Sequence, residues 1–213
     1  TKLGLEAIRA AKARGQKNIY VETCPQYLML DDTCYLEQGE DGFAGAKYVM
    51  SPPLRKPTDI AALREAVADG EVDQISTDHC SFNLHGQKDR GRGDFTKIPN
   101  GGPGVEHRPA IMTTFEGQLG PMDYLHLLSE GQARVFGMYP RKGALAAGSD
   151  ADICVWDPTA RWTISAANQH QAVDYTTYEG FEAHGRAKLV FVNGTLAVRD
   201  GEPTGEKPGR YVA

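Results

Sequence analysis

Within the first eighty residues, short apolar runs alternate with helical ones, and this alternation most constrains the fold. "NIYVETC" (residues 18–24) reads as a short buried strand, "PTDIAALREAVADG" (57–70) as a helix and "EVDQISTDHC" (71–80) as the next strand. Parallel strands need a long crossover between them, so a strand–helix–strand order points to parallel βα units. An earlier helix, "GLEAIRAAKARGQ", carries Leu5 and Ile8 at helical spacing, gathers basic residues late and stops at Gly15. In the helix after Pro57, Thr58 or Asp59 is expected to cap the start and Gly70 to end it. "KYVMSPPLRK" (47–56) reads as extended, because Pro52 and Pro53 disfavour helix in the residues before them.

From Ser81 to Gly104 the chain becomes a long loop rich in Gly, Pro and basic residues, "NLHGQKDRGRGDFTKIPNGGPG". Loops of this length in a compact domain are usually functional or disordered. Two helical stretches follow, "VEHRPAIMTTFEG" and "MDYLHLLSEGQARVFGM". After "YPRKG" the character changes to short strands with turn punctuation: "SDADICVWDP", "RWTISA", "KLVFVNG" and "TLAVRDGEP". "VNGT" and "RDGE" each carry a two-residue hairpin signal. A domain boundary is therefore expected near Gly143, dividing 1–142 from 143–213.

The chain has 213 residues and a net charge of −5, with no Lys/Arg block, which argues against nucleic acid as a partner. No run approaches the length of about 18 apolar residues that a membrane helix needs. Cys24, Cys34, Cys80 and Cys154 are scattered without a C-x-x-C pair, the pattern of reduced thiols in a cytoplasmic protein rather than of a disulfide framework. The sequence opens on Thr1 directly into a helical pattern, without a signal-peptide signature, and reads as the middle of a larger protein.

The densest chemistry sits in "QISTDHCSFNLHGQ" (74–87). If the strand continues, Ser76, Asp78 and Cys80 share one face and Thr77 and His79 the other. At the C-terminal end of a barrel strand, the carboxylate of Asp78 can bind a metal or accept a proton from attacking water. Read from its local pattern alone, it more readily caps the next turn. Cys80 and His79, on opposite faces, make no nucleophile–base pair, and His79, His85 and His107 lack close metal-ligand spacing. "GGPG" lacks the Lys-Ser/Thr of a phosphate loop.

Six ordered blocks, "ETCPQYL" (22–28), "MSPPLR" (50–55), "STDHC" (76–80), "IPNGGPG" (98–104), "YPRKG" (139–143) and "GSDADICVWDP" (148–158), span the chain. Together they resemble the C-terminal half of the hydantoinase/dihydropyrimidinase family of the amidohydrolase superfamily, with the bacterial phenylhydantoinase type nearest. The resemblance implies an α/β fold: the C-terminal part of a (β/α)8 TIM-type barrel plus a small β-sandwich, corresponding to 1–142 and 143–213. It implies hydrolysis of the ring amide of small cyclic amides, and a site with two divalent metals, usually zinc, bridged by a carboxylated lysine. Asp78 matches the family's aspartate ligand and proton carrier, while Ser51 and Asn100 match positions that grip the cyclic amide through the main chain. The lysine and the four histidine ligands belong upstream of Thr1, so a fragment of this extent should be inactive alone. A homotetrameric parent is implied. The segment 117–135 is shorter than the family's usual one, and Gln132 stands where a Pro is common. The alternatives are a non-catalytic dihydropyrimidinase-related scaffold protein, a class that typically loses the residues at Asp78 and Asn100, or another cyclic amidase such as an allantoinase or dihydroorotase.

Overall fold

The computed structural model of the protein describes residues 1–115 and 118–212. Glu116 and Gly117, which the sequence reading places in a helical stretch and in the shortened segment, lie outside them. The chain forms two compact units, one made of Thr1–Arg108 with Thr163–Phe181, the other of Pro109–Trp162 with Glu182–Ala213. The boundary expected at Gly143 falls inside the second unit.

In the first unit, helix α1 (Lys2–Ala13) starts at Thr1, whose hydroxyl accepts the Gly4 N–H, and buries Leu5. Strand β1 (Glu22–Thr23) is followed by α2 (Pro25–Met29), α3 (Pro57–Ala68) and β2 (Gln74–Ile75). β1 and β2 pair in parallel, Glu22 opposite Gln74 and Thr23 opposite Ile75, with α3 in the crossover as the sequence implied. Lys56, not Thr58 or Asp59, is the N-cap of α3. Pro57 at the first helical position removes one of the N–H groups a cap would satisfy, and the Asp59 carboxylate accepts the Lys2 N–H instead. Gly70, at φ 71°, turns the chain out of α3. Lys47 and Tyr48, expected extended, belong to the short 3-10 helix Ala44–Tyr48, so the extended run starts at Val49.

The core under these loops joins Tyr48, Met50 and Leu54, with Tyr27, Leu30, Cys34 and Tyr35 packed on it. The segment 163–181 closes on itself through Ile164 N–H to Phe181 O (2.8 Å) and Gly180 N–H to Ile164 O (2.9 Å). It buries Ile164, Tyr175 and Tyr178.

The second unit contains α4 (Arg108–Thr113) from Pro109 onward and a continuous helical run over 121–135. That run is α5 (Pro121–Leu125), one π turn (His126–Glu130) and α6 (Gly131–Val135). Within the π turn the Gly131 N–H reaches back five residues to His126 O. The amide of Gln132 donates to Leu127 O at 2.7 Å, a bond proline could not make. Strands β3 (Ile153–Thr163), β4 (Glu182–Val192), β5 (Thr195–Arg199) and β6 (Glu202–Pro203) form one sheet in sequence order. β3 runs unbroken where the sequence suggested two short strands, with Asp157 accepting the Thr159 N–H in its middle. Both hairpin signals are realised. Asn193–Gly194 (φ 48° and 79°) joins β4 to β5, and Asp200–Gly201 (φ 50° and 86°) joins β5 to β6. Positive φ at both central residues is the type I′ turn that matches strand twist. No helix among the described residues is long and apolar enough to cross a membrane.

Candidate functional site

Asp78 sits three residues beyond β2 in a left-handed backbone conformation, φ 48°. The parallel pairing carries one step past Ile75, through Ser76 N–H to Thr23 O at 3.0 Å, and ends there. This corrects the expected alternation. Thr77 and Asp78 line the same concavity rather than opposite faces, because positive φ at Asp78 breaks the pleat. Aspartate tolerates this region better than most side chains.

Several long-range bonds hold this turn. Gln26, buried on α2, donates from Nε2 to Thr77 O at 3.2 Å, and its Oε1 lies 3.5 Å from the hydroxyl of fully buried Tyr178. His79 forms a parallel bridge to Gly102, and its Nδ1 accepts N–H groups from Gly104 and Val105 at 3.2 and 3.3 Å. His79 thereby helps hold the loop in place. Cys80 N–H reaches Gly102 O at 3.3 Å.

Three loops meet around a small, open concavity: Thr77 and Asp78 from one, Gly101 to Pro103 from the second and Met50 from the third. Gln26, Thr177 and Tyr178 complete the lining. Asp78 is exposed and is the one carboxylate among these lining residues. Ser51 and Asn100 are also exposed, each adjacent in sequence to a lining residue, Met50 and Gly101. Gly101 N–H donates to Val49 O at 3.1 Å, which brings the "MSPP" and "IPNGG" segments together. Gly101 has φ 145°, and a Cβ there would stand 2.2 Å from Cys80 O, so the close approach requires glycine.

Two groups that feel the charge of this carboxylate, Cys24 and Tyr27, stay neutral at ordinary pH. Burial pushes the Cys24 thiol up to about 11, only partly offset by its bond to Ser76, with the charges of Glu22 and Asp78 adding to the rise. Burial likewise lifts the Tyr27 phenol to about 12, with Cys24 and Asp78 reinforcing it. All four cysteines are free thiols. Among the described residues no group of three or more His, Cys, Asp or Glu converges as metal ligands. A hard carboxylate oxygen such as that of Asp78 fits one position in a divalent-metal site, and a catalytic zinc normally takes about three protein ligands.

The amidohydrolase family model matches residues 4–197. The chain belongs to the amidohydrolase family. This amidohydrolase chain is 43% identical over 208 residues to the D-hydantoinase of Geobacillus stearothermophilus, covering 96% of itself and 43% of that protein. Its fold matches a crystal structure of a D-hydantoinase with a TM-score of 0.91 at 39% identity, over 97% of this chain and 45% of that one. It matches the dihydropyrimidinase from Brevibacillus agri NCHU1002 with a TM-score of 0.88 at 43% identity, over 94% and 43% of the two chains. The chain thus spans less than half the length of these relatives. Sequence reasoning missed Gln26, Thr177 and Tyr178. Gln26 stands inside the "ETCPQYL" block, but nothing in the local pattern aims it at a carbonyl fifty-one residues away.

Proposed function

We propose that this chain is part of a metal-dependent cyclic amidase that opens the ring amide of hydantoins or dihydropyrimidines. The observation that carries the reading is Asp78, held at positive φ at the end of a parallel strand and lining a concavity beside the Ser51 and Asn100 segments. The D-hydantoinase and dihydropyrimidinase names of its relatives support the substrate class. In this reading the chain carries the C-terminal part of a (β/α)8 barrel and part of a β-sandwich, and the parent is a cytoplasmic homotetramer.

Asp78 would hold one position beside a pair of divalent ions, proposed as zinc, whose remaining ligands, a carboxylated lysine and histidines, would come from outside these residues. When bound, such ions polarise the ring carbonyl and lower the pKa of water toward neutrality. Asp78 moves the proton. It accepts from the attacking water as the new C–O bond forms and delivers to the ring nitrogen as the C–N bond breaks. Main-chain groups at Ser51 and Asn100 orient the cyclic amide, whose planar N–H and C=O edge suits backbone partners. The test is turnover of dihydrouracil and phenylhydantoin by the full-length protein carrying this chain. Absence of hydrolysis of either in a metal-loaded, folded protein would overturn the reading.

A further inference from the structure

Lys88 is fully buried in the middle of the long loop, in the 3-10 turn Lys88–Gly91. Its Nζ donates to Val49 O at 2.8 Å and to Pro99 O at 3.0 Å. No carboxylate among the described residues pairs with it. A buried ammonium held only by neutral carbonyls is costly compared with an apolar side chain of the same size. It is therefore a poor choice for filling space, and what distinguishes it from methionine is its set of N–H donors.

The two acceptors identify what those donors join. Val49 lies two residues before Ser51 and Pro99 one before Asn100, and Val49 O also accepts the Gly101 N–H at 3.1 Å. Met50 and Gly101, the neighbours of these carbonyls, line the concavity with Asp78. One buried cation thus ties together both segments expected to grip the cyclic amide, while its own 3-10 turn, Lys88–Gly91, does not line the concavity. We infer that Lys88 is a positioning residue, an internal tie that sets the spacing of the 49–51 and 99–101 segments and so the grip on substrate. The substrate part of this inference rests on the cyclic-amidase reading. Burial pushes the ammonium down to about 8, which fits a tie formed in a dry setting.

The experiment uses the full-length protein and two variants, Lys88→Met and Lys88→Arg, the latter retaining charge and donors. Amide hydrogen exchange is followed on peptides covering 48–54 and 97–104, and KM and kcat are measured with dihydrouracil. In Lys88→Met, exchange should quicken by about tenfold or more in those two peptides and stay unchanged elsewhere. KM should rise by about tenfold or more while kcat stays within about threefold, and Lys88→Arg should recover part of both changes. Unchanged exchange and KM in Lys88→Met would overturn the inference. So would loss of protection throughout the protein in both variants, which would assign Lys88 to the fold at large. Selective loosening of the two peptides in a protein that hydrolyses no cyclic amide would uphold the tie and overturn the proposed function instead.

Discussion

In the hairpin sheet, β4, β5 and β6 follow one another through turns of two residues, and each turn's geometry is written in its own Asn-Gly or Asp-Gly pair. Around the concavity, the loops at 49–51, 77–80 and 99–104 are placed by bonds that span large stretches of sequence. Gln26 reaches Thr77 O, Lys88 reaches Val49 O, and the Asp174 carboxylate accepts the N–H groups of Leu84 and His85 at 2.7 and 3.0 Å. The lesson is one of range. A region made of local turns survives the loss of any one distant partner, whereas a site assembled from loops inherits every long-range tie as a condition of its shape.

Five predictions probe this difference. Asp78→Asn in the full-length protein should lower turnover by about 10³-fold or more, since Asn keeps the shape but loses charge and proton affinity. Its melting temperature should barely move, because Asp78 is exposed. Near wild-type turnover with metals bound would remove Asp78 from the site. By the same logic residues 1–213 alone, given zinc or manganese and bicarbonate, should hydrolyse neither substrate above buffer.

Gly101→Ala comes next. A left-over φ of 145° and a Cβ 2.2 Å from Cys80 O should cost about 1–3 kcal/mol of stability and lower kcat/KM as the loop moves. Chemical denaturation alongside kinetics checks both, and an unaffected kcat/KM would show that this loop does not shape the pocket.

The fourth prediction concerns pH. The Lys88 ammonium has its pKa lowered to about 8 in the fold, from the ordinary 10.5. The unfolded chain therefore binds more protons between those values, and this group's contribution to stability rises with pH through that window and is lost as pH falls through 8. Relative to Lys88→Met, the wild type should gain about 1 kcal/mol per pH unit there, read from paired denaturation curves. A difference independent of pH would mean that Lys88 is not buried as a cation.

Gly194→Ala should give the smallest effect. At φ 79°, with only the Ala151 side chain 3.9 Å away, it should cost about 1 kcal/mol and leave kinetics unchanged. A kinetic effect as large as that of Gly101→Ala would erase the contrast between the two regions.

How far each region could be read from sequence follows the same division. The βα alternation, the end of α3 at Gly70 and both hairpin turns were legible, because each is decided by neighbouring residues. The α3 cap was misread, since Pro57 removed the need that Thr58 would have met. The alternation through "STDHC" failed at Asp78, where nothing local signals a left-handed turn. Asp78 itself could be singled out only by the order of six blocks, because its short stretch by itself favours a turn cap. Lys88 and Tyr178 were invisible. Their partners are carbonyls and amides remote in sequence, and a lysine in a basic, Gly-rich loop reads as solvated surface.

β3 has a neighbour on one side only in the described sheet, β4, so one rim of an eleven-residue strand faces away from the pairing. Such a rim is a template for another chain, and natural edges are commonly blunted with proline or charge. Pro158 stands near its middle, without an N–H, and Asp157 spends its carboxylate on Thr159. A strand approaching from that side can register with 153–156 or with 160–163, but it cannot zip across the interruption. Concentrated protein should therefore meet two short, weak footholds there instead of a single long seam.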